Sequence, residues 1–255
     1  MNPSPRQLEL VDEVRRQRRV SVEALAEHFG VTLQTVRRDV RLLADAGLVS
    51  RFHGGVRMPE STTENIAYRA RQQLGDAAKR AIARAVAKAV PHGCSLIINI
   101  GTTTEAIARE LLAHKGLRVV TNNLNVAAIL SDNPDCEVIV AGGVVRARDR
   151  GIVGEVTVDF IRQFKVDIGL IGISGIEPDG SLRDFDYHEV KVSRAIIEQS
   201  REVWLAADHS KFNRPAMIEV ARLDQIDTLY TERAPPVPFA GLLAEAGVNV
   251  VTCEE

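Results

Sequence analysis

Two regimes of apolar spacing divide this chain. In residues 1–57 apolar side chains recur every three or four positions, the period of amphipathic helices. Leu8, Val11 and Val14, with Leu10 beside them, mark an inward stripe over residues 4–16. Ser21 stands before a second helical run in which Leu25, Ala26 and Phe29 turn inward, and Gly30 follows it. Leu33, Val36, Val40 and Leu43 predict a third helix over 33–43. Thr32 occupies its N-cap, where a hydroxyl accepts an orphan backbone N–H of the first turn. Gln34, Arg37, Arg38 and Arg41 fall on the opposite face of that helix. Residues 47–57 contain two short β-prone runs about a polar turn, the pattern of a small hairpin. Gly54-Gly55 either closes this hairpin or ends it.

The pattern then lapses. Residues 58–75 read as a linker, polar and proline-bearing at first, with a short helical extension over 68–75. A strong amphipathic helix is expected at 76–90, with Ile82, Ala85, Val86 and Ala89 on one face. Beyond it, short apolar runs alternate with helical stretches. Strands are predicted at 95–100, 117–121, 137–141, 168–172, 203–207, 228–231 and 248–252. Helices are predicted at 104–114, 124–131, 156–164, 188–200 and 239–246. Such alternation implies an α/β domain with a largely parallel sheet. Its middle strands are apolar throughout, as a sheet covered on both faces requires. The expected domains are therefore 1–57, a linker at 58–75 and 76–255.

Composition sharpens this division. The net charge of −2 conceals a basic head. Residues 1–57 contain ten arginines, no lysine and seven acidic residues, whereas the remainder holds 22 basic against 27 acidic residues. A basic head on an acidic body fits a nucleic-acid reader joined to another module. Arginine rather than lysine favours planar, bidentate contacts. No run of about 18 apolar residues occurs, so no membrane span is expected. Three widely separated cysteines imply neither disulfides nor a metal site, and a cytoplasmic protein is expected. No cofactor is called for.

The head carries the first candidate chemistry. Two short helices joined by a tight Gly-bearing turn, the second exposing Arg and Gln, form the helix-turn-helix pattern. In a major groove Arg pairs with guanine and Gln with adenine. The hairpin brings Arg51 and His53 into position as a wing. The candidate DNA contacts are Ser21, Thr32, Gln34, Thr35, Arg37, Arg38, Arg41, Arg51 and His53. A solvated amphipathic surface helix is the competing reading of residues 33–43 taken alone.

The second candidate site lies beyond the carboxyl ends of the predicted strands, where open α/β sheets bind ligands. Five strands end in Gly101-Thr102-Thr103-Thr104, Asn122-Asn123, Gly142-Gly143, Gly172-Ile173-Ser174-Gly175 and Asp208-His209-Ser210-Lys211. The Gly-Thr-Thr-Thr loop opens a helix, so its N–H groups either hold a phosphate or are consumed by a Thr102–Glu105 capping box. Lys211 would neutralise a phosphate, and Asp208 would accept from a polyol hydroxyl.

These motifs carry a family resemblance. Thr32-x-x-Thr35-Val36-Arg37-Arg38-Asp39-Val40, with Leu43 and His53-Gly54-Gly55, resembles the winged helix-turn-helix of the DeoR-type bacterial repressors. Gly101-Thr102-Thr103, Thr121-Asn122, Gly142-Gly143 and Asp208-x-Ser210-Lys211 resemble the effector domain of the same family. The resemblance implies a winged helix-turn-helix plus a parallel-sheet α/β domain similar to ribose-5-phosphate isomerase. It also implies a homo-oligomer, dimer or tetramer, on double-stranded operator DNA. The runs at 120–127, 151–155, 172–176, 184–190 and 208–212 resemble most closely the branch released by glycerol 3-phosphate. The implied effector contacts are Lys79, Gly101, Thr102, Thr103, Asn122, Gly142, Gly143, Gly172, Asp186, Asp208 and Lys211. The family usually has an acidic residue where Asn99 stands, which leaves a hydroxyl contact at that strand end open. Asp184, Asp186 and Glu189 either grip hydroxyls or belong to interdomain or oligomer structure. A repressor answering to another sugar phosphate is the alternative. A sugar-phosphate enzyme with an attached DNA-binding module is a further one, but no Lys-Gly-Gly-Gly catalytic segment is found, and fold alone does not establish activity.

Overall fold

The computed structural model describes residues 3–17, 19–58 and 61–253. It divides into two compact units, Met1–Leu74 and Gly75–Glu255.

The head comprises α1 (Pro5–Gln17), β1 (Arg19–Ser21), α2 (Val22–Phe29), α3 (Leu33–Asp45), β2 (Ser50–Phe52), β3 (Gly55–Arg57) and α4 (Tyr68–Gln73). Its small antiparallel sheet has the order β1-β3-β2. The stripes predicted for α1 and α2 bury Leu10, Val11, Val14, Leu25 and Ala26, joined by Val36, Val40 and Leu43 from α3. Ser21 Oγ accepts the Ala24 N–H at 3.0 Å and Thr32 Oγ1 accepts the Thr35 N–H at 3.2 Å, so both predicted caps close their helices. Gly30 is left-handed (φ 61°) and ends α2.

Several expectations for the head are corrected. Leu33 does not join the core and is 41% exposed, because the first residue of α3 lies beyond the face that meets α1 and α2. Arg19 opens a strand, β1, which the helical period concealed. The expected linker is shorter: Ile66, Ala70 and Leu74 pack with the core of the head. Gly54 (φ 77°) makes the wing turn, and Gly55 opens β3. A side chain on Gly55 would collide with the Phe52 ring and with Val20 O, so glycine permits the close approach of β1, β2 and β3.

The body comprises α5 (Asp76–Ala89), β4 (Ser95–Ile98), α6 (Thr102–Glu110), β5 (Leu117–Thr121), α7 (Leu124–Leu130), β6 (Cys136–Val140), β7 (Val144–Arg146), β8 (Gly151–Val153), α8 (Glu155–Ile161) and β9 (Val166–Ile171). It continues with β10 (Gly175–Ile176), β11 (Ser181–Asp184), α9 (Tyr187–Glu198), β12 (Ser200–Ala206), β13 (Ile218–Arg222), β14 (Thr228–Thr231), α10 (Val237–Glu245) and β15 (Asn249–Thr252). The seven predicted strands form one sheet of order β15-β14-β12-β9-β4-β5-β6, and every pair is parallel. Side chains alternate between its faces. Leu96, Ile98, Trp204 and Ala206 pack with α5, α6 and α7, whereas Ile97, Val203 and Leu205 pack with α8, α9 and α10. On α5 the inward stripe uses Ala83 and Ala87 with Ile82 and Val86, and Ala89 is exposed. The hairpin β7–β8 and the antiparallel sheet β10-β11-β13 lie outside the predicted strands.

Asp39, on the buried side of α3, carries the polar tie of the head. Its carboxylate accepts from Arg6 at 2.7 and 3.0 Å and from Gln7 Nε2 at 2.9 Å, fastening α3 to α1. Replacing Asp39 with Ala strands the buried Gln7 amide, while part-exposed Arg6 resolvates. The expected loss is about 1–3 kcal/mol in the stability of the head, read by thermal or urea denaturation.

Candidate functional site

On α3, Gln34, Arg37, Arg38 and Arg41 are all exposed, and Thr35 is half-buried. The core side chains Val36, Val40 and Leu43 hold that face outward. The wing completes the surface. Arg37 and Arg41 line one cleft with Arg51, Phe52 and Gly54 of the wing, and Glu23 and Asp45 supply acidic neighbours. Val22 N donates to Gly54 O at 3.1 Å, tying the wing turn to α2. Arg19 lies 4.0 Å from the centre of the Phe52 ring, which braces the root of the wing. His53 is exposed in the turn. Ser21 and Thr32 spend their hydroxyls on capping.

In the body, the sheet reverses its winding between β4 and β9. The strands β5, β4, β9 and β12 are neighbours, so the loops after them meet along one edge. Asn99 spans the reversal: its Oδ1 accepts from Gly172 N at 2.9 Å and its Nδ2 donates to Gly172 O at 3.1 Å. Gly101, not Thr102, is the N-cap of α6, which overturns the capping-box reading. The buried Glu105 carboxylate instead accepts from Asn125 Nδ2 at 3.0 Å and from Asn123 Nδ2 at 3.4 Å. Thr104 turns inward and donates to the carbonyls of Asn99 and Gly101. Thr103 is buried and Thr102 half-buried.

Asn122 is 1% exposed and donates from Nδ2 to Ile152 O at 3.0 Å. Its Oδ1 has no hydrogen-bond partner among the described residues. Gly142 is exposed, and its carbonyl accepts from Thr157 at 2.8 Å. Gly143 (φ 148°) packs where a side chain would collide with the Thr157 hydroxyl and Val153 O. Asp208 is buried and caps the short turn over His209–Lys211, accepting from Ser210 N at 2.9 Å. His209 N donates to the Glu232 carboxylate at 2.9 Å, and burial pushes the Glu232 pKa up. Lys211 is half-buried. Lys79 is buried in α5, which packs on α6.

Asp186 caps α9, accepting from His188 N at 3.0 Å and Glu189 N at 3.1 Å. It also pairs with Arg148 at 2.8 Å and lies 3.0 Å from Arg146 Nη1, the latter contact bent outside hydrogen-bond geometry. Arg146 Nη2 reaches Asp149 at 2.7 Å and Glu189 at 2.6 Å. Asp184 accepts from Ser174 Oγ at 3.0 Å and Phe185 N at 2.7 Å. Asp186 and Glu189 are thus paired with Arg146 and Arg148 at the β7–β8 hairpin, and Asp184 is bonded to Ser174. Arg146, the last residue of β7, went unread in the sequence because its partners Asp186 and Glu189 lie far along the chain and no periodicity links them to it.

Comparison with known proteins follows the same division. Residues 6–62 match the DeoR-like helix-turn-helix domain, and residues 75–233 match the DeoR C terminal sensor domain. The chain belongs to the DeoR family. It is 47% identical over 253 residues to the glycerol-3-phosphate regulon repressor of Escherichia coli K12, spanning 99% of this chain and 100% of that one. It is 46% identical to the repressor of the same name in Haemophilus influenzae, spanning 99% and 98%. The HTH-type transcriptional repressor CsqR of Escherichia coli is 36% identical over 99% of this chain and 96% of its own. Among solved structures, a ribose 5-phosphate isomerase from Methanocaldococcus jannaschii aligns with 54% of this DeoR-family chain and 55% of its own, at 14% identity and a TM-score of 0.40. So remote a likeness says nothing about activity.

Arg146 is 13% exposed among carboxylates that depend on it. Replacing Arg146 with Met leaves Asp149, Asp186 and Glu189 without their shared cation. The expected cost to the body is about 3 kcal/mol in chemical denaturation. Burial works to raise the Asp186 pKa, but backbone donors and the two arginines outweigh it and hold it below the usual carboxylate range. Its contribution is therefore present above the unfolded value of about 3.9 and lost as pH falls through the lower folded value. Acid titration of the melting temperature is expected to show a smaller loss in the variant than in the parent.

Proposed function

We propose that this chain is a DNA-binding transcriptional repressor that leaves its operator when glycerol 3-phosphate binds the body. The observation that carries the reading is the outward face of α3. Gln34, Arg37, Arg38 and Arg41 lie together on it, and the wing adds Arg51 to the cleft shared by Arg37 and Arg41. Flat, multidentate donors in this array suit base edges and phosphates of a major groove. Thr35 and His53 flank the array, and Ser21 and Thr32 set the helices that present it. Relatives named as repressors support a regulator rather than an enzyme.

The effector assignment rests on the edge where β5, β4, β9 and β12 end. There Gly101, Thr102 and Thr103 open α6, whose N-terminus favours an anion. The unsatisfied Asn122 Oδ1 is a buried acceptor, and a polyol hydroxyl supplies the donor it lacks. Asp208 and Lys211 bring both signs of charge to the end of β12, and Gly142, Gly143, Gly172 and Lys79 complete the proposed neighbourhood. Relatives named for the glycerol-3-phosphate regulon support that compound over another sugar phosphate.

The proposed partner is a split, nearly palindromic operator, bound by a dimer or tetramer of the chain. Two recognition helices in a dimer would then sit about 34 Å apart, one turn of duplex. Release requires glycerol 3-phosphate to bind the DNA-incompetent state more tightly, since equal affinity for both states shifts nothing.

Arg38→Ala is expected to abolish operator retardation in a gel-shift assay while calorimetry still records glycerol 3-phosphate binding. Undiminished retardation rejects the role of α3. Lys211→Ala is expected to keep operator binding and to lose release by glycerol 3-phosphate. Normal release rejects Lys211 as the phosphate anchor. In the parent, release by fructose 1-phosphate but not glycerol 3-phosphate would reassign the effector.

A further inference from the structure

Leu33 is the most exposed large apolar side chain on α3; Leu42 is half-buried. Its fellow stripe members Val36, Val40 and Leu43 are 0–3% exposed, whereas Leu33 is 41% exposed. It occupies the first helical position after the Thr32 cap. Counting at 3.6 residues per turn, Leu33, Arg37 and Arg41 form one i, i+4, i+8 row beside the row of Gln34 and Arg38. Arg37 and Arg41 of this row line the cleft shared with the wing. The first turn of α3 contains no acidic residue. An apolar group thus stands at the leading end of a row of cations on the face turned away from the core.

We propose that Leu33 is a specificity-determining residue that packs on the C5-methyl of a thymine in the operator. This rests on the operator-binding reading above and adds a base preference to it. The N-terminal residues of a recognition helix are those that reach base edges, and the thymine methyl is the apolar feature of the major-groove code. Thymine is distinguished there from cytosine by that methyl and by an acceptor in place of an amino donor. A leucine reads the methyl and offers nothing to the cytosine amino group. Burial of Leu33 against the methyl removes from water an apolar surface that folding of the head leaves exposed. Gln34 and the arginines then supply the hydrogen-bonding part of the same code.

The test uses the full-length protein and the duplex it enriches from a random-sequence pool. Each thymine of that duplex is replaced in turn by deoxyuridine, which removes the methyl and keeps the pairing. For the parent, one thymine in each half-site is expected to lose about three- to tenfold in affinity on demethylation, the scale of a buried methyl. Leu33→Ala is expected to bind the thymine duplex more weakly by a similar factor and to be indifferent to demethylation at that position, the non-additivity that marks direct contact. Leu33→Met, which keeps an apolar side chain of similar volume, is expected to retain the methyl sensitivity, and it stands as the readout should the alanine variant fold poorly. Equal methyl sensitivity in parent and Leu33→Ala, loss of that sensitivity in Leu33→Met, or a parent insensitive at every thymine would overturn the assignment while leaving operator binding intact. Enrichment of no sequence by the parent would overturn operator binding itself and the Leu33 assignment with it.

Discussion

A parallel sheet that winds outward in both directions from its middle has a seam, and the body of this protein is organised about it. Chain order runs away from β4 through β5 and β6 on one side and through β9, β12, β14 and β15 on the other. At the seam the chain leaves β4 and β9 in opposite directions, and backbone donors and acceptors there still need partners. Asn99 supplies both with one amide, satisfying the N–H and the C=O of Gly172 together. A carboxylate at this position could accept from Gly172 N but, when ionised, would have no donor for Gly172 O. The Asn99 amide thus closes the seam, with Thr104 tied to the Asn99 and Gly101 carbonyls beside it.

The head obeys a different constraint. Polar ties add to its apolar core and set its geometry. Asp39 fastens α3 to α1, and Ser21 and Thr32 fix where α2 and α3 begin. Gly55 lets three strands meet under the Phe52 ring. These constraints leave the cationic face of α3 without a covering element within the head, and they push Leu33 out with it. The polar face is an outcome of how the apolar face is anchored.

Polar residues at the strand ends divide into those whose atoms are bonded within the fold and those with an atom left unbonded among the described residues. Glu105 holds two asparagines, Thr157 holds the Gly142 carbonyl, and Asp186 caps a helix while paired with two arginines. Gly143 is glycine because the backbone there has positive φ and crowds Thr157. Residue type alone does not separate these from Asn122, whose buried Oδ1 has no partner among the described residues. The separation appears only when each atom is assigned its hydrogen bonds.

What the sequence by itself determined is what periodicity and local chemistry encode. The helix stripes, both N-caps, the seven parallel strands and the motifs after them were legible because each depends on residues close in the chain. Arg37, Arg38 and Arg41 stood out for the same reason, sharing a helix face. What only the tertiary structure decided was the outcome of long-range pairing. The strand order, the seam held by Asn99, the anchoring of Asp39 by Arg6 and Gln7, and the gathering of three carboxylates on Arg146 join residues that helical or strand spacing does not relate. The exposure of Leu33 belongs here too. Its position on the wheel was readable, but whether a neighbouring helix reaches that far along α3 depends on where α1 and α2 end, which is settled by packing.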